Sequence, residues 1–111
     1  MKTIFEKIID RELPAKIILE NHRVIVIQDI QPQAPHHYLI IAKKAIPYVQ
    51  SISQPDLSYM SDMILAVQEL AKKFEIENYR LVINNGSGAG QTVFHLHIHF
   101  LAGKTMEENF A

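Results

Sequence analysis

Six residues, His95-Leu96-His97-Ile98-His99-Phe100, alternate an imidazole with an apolar side chain. In a strand, this alternation sends Leu96, Ile98 and Phe100 to one face and all three histidines to the other. Same-side positions lie about 6.6 Å apart in an ideal strand, so the imidazoles form a row suited to one elongated ligand. A lone histidine in a strand is usually a hydrogen-bonded or surface residue, but three in register are harder to explain that way. Imidazole titrates at about pH 6.5, so such a row can supply a neutral nucleophile, a proton donor and a phosphate-binding cation.

The competing chemistry is metal ligation, because a His-x-His pair can place two nitrogens on one zinc at about 2.0–2.1 Å. The Cα atoms of His95 and His99 would be about 13 Å apart in an ideal strand. One ion would therefore need two of the three histidines and a further ligand such as His37. Metal hydrolysis is the minor reading, and no metal or cofactor is expected.

The loop Asn85-Gly86-Ser87-Gly88-Ala89-Gly90-Gln91 lies just before the histidine row. Its glycine spacing is not that of a dinucleotide fingerprint, and a strand follows it rather than a helix. Glycines let backbone N–H groups approach phosphate oxygens closely, so the loop is either a phosphate cradle or an ordinary hairpin connection.

These residues need a scaffold to position them. Ile4, Phe5, Ile8 and Ile9 have helical spacing, and Pro14 bars continuation, which predicts a short amphipathic helix over Ile4 to Ile9. The stretches Ala15 to Glu20 and Val24 to Gln28 flank the polar break Asn21-His22-Arg23 and read as a hairpin. Asp29 to Pro35 contains two prolines and reads as a loop before the strand His37 to Ala42. Ser53-Gln54-Pro55-Asp56 has a capping-box pattern. Beyond it, Leu57, Met60, Met63, Ile64, Val67, Leu70, Ala71 and Phe74 form the stripe of a long helix. Tyr79 to Asn84 and Thr92 to Leu101 complete the strands. Without βαβ alternation, the expected fold is α+β: an antiparallel sheet of about five strands, with the helices packed on one face.

The chain has 111 residues, the size of one ordinary domain, and a single domain over 1–111 is expected. Lys and Arg number 11 against 12 Asp and Glu, with no basic run beyond the pairs Lys43-Lys44 and Lys72-Lys73, so no nucleic-acid partner is expected. Cysteine is absent, which excludes disulfides and thiolate zinc sites. The opening Met1 to Glu6 lacks a signal-peptide core, and no apolar run approaches the roughly 18 residues of a membrane span. A cytoplasmic protein with no membrane partner is expected.

The run His95-x-His97-x-His99-Phe100-Leu101 resembles the signature of the histidine triad (HIT) family of nucleotide hydrolases and transferases. Further segments resemble its Hint branch: Thr3-Ile4-Phe5, Pro14-Ala15-Lys16-Ile17-Ile18, Asp29-Ile30 with Pro32-Gln33-Ala34-Pro35 and His37, Gly90-Gln91-Thr92-Val93, and Gly103. The resemblance implies a HIT-like sheet in a homodimer. It also implies hydrolysis of purine nucleoside phosphoramidates, such as adenosine 5′-phosphoramidate or AMP-lysine, to a nucleoside monophosphate and an amine. His97 would attack the α-phosphorus, and water would release the nucleotide from a nucleotidyl-histidine, which splits one displacement into two. By the same resemblance His99 would contact phosphate and assist proton transfer, His95 would orient its neighbour, and His37 would sit against the triad while His36 falls on the alternate, exposed side. Asn84, Gly90, Gln91 and Thr92 would lie near the phosphate, where an amide and a hydroxyl can donate to developing charge. Asp29 would accept from the ribose hydroxyls, its plainer role being that of a turn residue before Pro32, and Ile18, Ile27 and Ile30 would line the base pocket. A dinucleoside polyphosphate hydrolase or nucleotidyl transferase of the same family, and a nucleotide-binding scaffold with weak catalysis, are the alternatives. The ending Met106 to Ala111 departs from the Trp-Pro-Pro-Gly ending of some relatives, which leaves the leaving-group preference open.

Overall fold

The computed structural model describes residues 1–108, so the last three residues of the expected 1–111 domain lie outside the described residues. Five antiparallel strands form one open sheet: β1 (Ile17–Glu20), β2 (Val24–Gln28), β3 (His36–Ala42), β4 (Tyr79–Val82) and β5 (His97–Ala102), in the order β1-β2-β3-β5-β4. Two helices accompany them, α1 (Ile4–Ile9) and α2 (Ser58–Lys73). The α+β architecture expected from the sequence is the one observed. No described helix is long and apolar enough to cross a membrane.

The helices do not share a face of the sheet, contrary to expectation. Val24, Val26, Tyr38, Ile40, Ala42, Ile98, Phe100 and Ala102 pack with Met63, Ala66, Val67 and Leu70 of α2. The alternate residues Ile25, Ile27, Leu39 and Ile41 pack with Phe5 and Ile8 of α1 on the reverse side. The cause is visible in β2, whose first four residues, Val24-Ile25-Val26-Ile27, are all apolar and must bury both faces. At roughly 1.5–3 kcal/mol for each large apolar side chain buried, a helix on each side is the stable arrangement.

Local details also differ from the sequence reading. The Ser53–Asp56 capping box does not form. Pro55 sits in a 3₁₀ turn, Gln54–Leu57, and Asp56 is drawn to Lys44 Nζ at 2.7 Å, so α2 starts at Ser58. A capping box is instead found at Thr3, whose hydroxyl accepts from the Glu6 N–H while the Glu6 carboxylate accepts from the Thr3 N–H. Strand β5 begins at His97, not Thr92. Leu96 leaves the ladder to donate its N–H to Ile46 O at 2.6 Å, and residues 92–96 follow an irregular path.

Candidate active site

The register of β3 against β5 sets Leu39 opposite His99 and Ile41 opposite His97, so His37, His97 and His99 share the α1 face of the sheet. The ring centroids of His97 and His99 are 5.1 Å apart, and those of His37 and His99 are 5.2 Å apart. His95 stands just before the strand, buried, with its ring 6.2 Å from that of Phe5.

Hydrogen bonds fix the tautomer of each ring. His97 Nδ1 lies 2.7 Å from the carbonyl oxygen of His95; a carbonyl only accepts, so the proton is on Nδ1. His97 Nε2 then carries the free lone pair, and among the described residues it has no hydrogen-bond partner. Burial pushes His97 below its usual value of 6.5, which keeps the ring neutral at neutral pH. His95 thus orients the His97 ring through its backbone carbonyl. Its ring donates Nε2–H to Ala42 O, and its Nδ1 is buried without a partner.

A second chain of bonds fixes His99. The Gln33 N–H donates to His37 Nδ1 at 3.0 Å, so the proton of neutral His37 is on Nε2 and is donated to His99 Nδ1, 3.0 Å away. His99 consequently carries its own proton on Nε2. Burial, followed by the neighbouring His97 and His37, pushes His99 down to about 4. At neutral pH it is a neutral N–H donor, not a cation.

Asp29 takes the turn position considered for it and sits beside His37. Its Oδ1 accepts from the Gln31 N–H at 2.8 Å in a turn, and its Oδ2 lies 3.4 Å from His37 Nε2. The ligand atoms of Asp29, His37 and His99 lie within 4.8 Å of one another, a spacing that could hold an ion. The bond from the Gln33 N–H opposes this: with Nδ1 accepting, a metal on His37 Nε2 would require an imidazolate.

The glycine-rich loop closes beside this row. Gly86 and Gly90 adopt φ of 94° and 98°, and a Cβ on Gly90 would lie 3.8 Å from Asn84 Nδ2, so Asn84 and Gly90 are neighbours. Thr92 is exposed, whereas Gln91 is buried and its amide is engaged within the protein.

Among the residues expected at a base pocket, Ile27 is buried on the α1 face and Ile30 is almost wholly exposed. Ile18 is not with them, because it packs with the core on the α2 side. His36 also faces α2, half-buried rather than exposed, with its Nδ1 2.8 Å from the Tyr38 hydroxyl. Phe5 was missed from the sequence: its ring meets the His97 ring edge-on at 4.9 Å, walling one side of that imidazole. Its place in the amphipathic pattern of Ile4 to Ile9 was the available signal.

A family model described as the HIT domain matches residues 10–106. An uncharacterised HIT-like protein of Synechocystis is 45% identical over 103 residues, covering 92% of this chain and 90% of the relative. A HIT family hydrolase from Clostridium thermocellum superposes with a TM-score of 0.95 at 44% identity, covering 98% of this chain and 96% of the other. A histidine triad nucleotide-binding protein from Candida albicans gives 0.80 at 31%, covering 99% and 87%.

Proposed function

The chain belongs to the HIT domain family, and from that premise we propose that it is a purine nucleoside phosphoramidase that works through a covalent nucleotidyl-histidine. The observation that carries the reading is the tautomer of His97: Nδ1–H held by the His95 carbonyl, and Nε2 unpartnered on a neutral, buried ring. A relative named as a hydrolase and another named as nucleotide-binding support the substrate class.

In the first step His97 Nε2 attacks the α-phosphorus, the phosphorus–nitrogen bond breaks, and the nitrogen takes up a proton and leaves as the amine. In the second, water attacks the same phosphorus, the bond to Nε2 breaks, and the proton consumed earlier is returned with release of the nucleoside monophosphate. The His95 carbonyl, still accepting from Nδ1, stabilises the positive charge the ring gains while phosphorylated. His99 offers Nε2–H to a phosphoryl oxygen, and Asn84, Thr92 and the backbone near Gly90 supply further donors. Asp29 Oδ2 accepts from a ribose hydroxyl, and the exposed Ile30 gives the base an apolar surface to cover. No metal takes part.

The active form is a homodimer. Strand β4 is an open sheet edge whose Tyr79 and Leu81 are exposed, as is Leu65 of α2, and a second copy pairing along β4 would cover such an edge. Sedimentation in dilute solution should give twice the chain mass.

The direct test is release of AMP from adenosine 5′-phosphoramidate by the wild type and by His97→Ala, with EDTA throughout. Activity in the wild type that vanishes in the variant is expected. A well-folded wild type with no activity would overturn the substrate assignment, and an undiminished variant would overturn the nucleophile.

A further inference from the structure

Gln91 is 3% exposed, and its side-chain amide joins three separate stretches of backbone. Its Oε1 accepts from the Gly86 N–H at 2.7 Å, closing the glycine-rich loop on itself. Its Nε2 donates to Pro47 O at 2.8 Å and to Val93 O at 3.0 Å. Both N–H bonds of the amide are therefore in use, and none is left to donate to a phosphate.

We infer that Gln91 is a positioning residue that holds the glycine-rich loop and the His97 ring as one unit, a role that rests on the phosphoramidase reading above. The path can be followed bond by bond. Val93 O, which accepts from Gln91, also accepts from the His95 N–H at 2.9 Å. The His95 carbonyl then receives His97 Nδ1–H at 2.7 Å. The turn that aims the nucleophile and the loop beside the phosphate are thus pinned by the same amide.

A neighbouring segment adds two further ties. Residues 46–50 run as a strap under this region and are tied to it three times: Leu96 N–H to Ile46 O at 2.6 Å, Gln91 to Pro47 O, and Gln50 N–H to Asn85 Oδ1 at 2.8 Å. Pinning both ends of the loop to one strap leaves Gln91 as the link between them. Alignment of attacking and attacked atoms governs the rate far more than it governs ground-state binding.

The test uses Gln91→Glu, which keeps the acceptor for Gly86 but turns both donors into an acceptor facing two carbonyls, and Gln91→Ala, which removes all three bonds. On adenosine 5′-phosphoramidate, kcat should fall about tenfold to a hundredfold while KM stays within about threefold. The imidazole ¹⁵N spectrum without substrate should show His97 as a single Nδ1–H tautomer in the wild type and as a mixture in either variant. In the unsubstituted chain the Gly86 amide should exchange slowly with solvent, which needs no variant to fold. A raised KM with unchanged kcat would make Gln91 a direct phosphate contact and overturn the inference, as would an unaltered His97 spectrum or a fast-exchanging Gly86 amide. Should the wild type not hydrolyse the phosphoramidate, the functional reading fails while the spectra still decide the role of Gln91.

Discussion

The two faces of the sheet are built from alternate residues of the same strands, yet they differ in kind. Towards α2, Tyr38, Ile40, Ile98 and Phe100 form a core whose cohesion is apolar, with Tyr38 stacked on Phe74 at 5.4 Å. Towards α1, a one-residue shift along each strand presents His37, His97 and His99, each oriented by a hydrogen bond whose donor is fixed. One face holds the strands in place, and the other uses that rigidity to fix which nitrogen carries each proton. The contrast shows how strand alternation can separate stability from chemistry at a distance of one residue.

The largest effect that would sharpen this contrast is His97→Ala, expected to lower the hydrolysis rate by about 10⁴-fold or more with the thermal midpoint little changed. On the opposite face, Phe100→Ala should destabilise by about 3–5 kcal/mol in denaturant unfolding while the folded fraction keeps its turnover. A rate loss in folded Phe100→Ala comparable with that of His97→Ala would break the separation. A smaller effect is expected where the faces meet. Gly103 has φ of 97°, and a Cβ there would lie 2.8 Å from Pro35 Cβ. Gly103→Ala should therefore cost about 1–3 kcal/mol and disturb the start of β3, where His37 sits.

The smallest effect distinguishes the faces by pH. The folded chain resists protonation at His95, His97 and His99, the last down to about 4, whereas unfolded histidines take protons near 6.5. Their contribution to stability is whole above about 6.5 and is lost as pH falls below it, through about 4 for His99. Burial raises Tyr38 above its usual 10, so its contribution is whole below 10 and is lost as pH rises through the folded value. Denaturation midpoints measured across pH should decline at the acid end in the wild type, and that decline should shrink in His99→Asn.

Much of this was legible in the sequence because it is local. The period of two in His95 to Phe100 separated the row of imidazoles from the core, and the 3.6 period of Met60 to Leu70 located α2. What was not legible depends on partners distant along the chain. Lys44 draws Asp56 out of a capping role, Ile46 pulls Leu96 from the ladder, and Pro47 and Val93 consume the amide of Gln91 that looked free to meet a phosphate. The side of the sheet met by Ile18 depends on the irregular register between Ile17 and Leu19, which no periodicity announces. That His95 acts through its carbonyl is likewise a property of backbone path, invisible in residue type.

The central claim is that His97 forms a bond to phosphorus, and the stereochemical course at that atom tests it most directly. A single diastereomer of adenosine 5′-phosphoramidothioate would be hydrolysed in ¹⁸O-labelled water and the configuration of the product determined by ³¹P spectroscopy. Two successive displacements predict retention. Inversion would mean that water attacks directly and that His97 serves some other purpose.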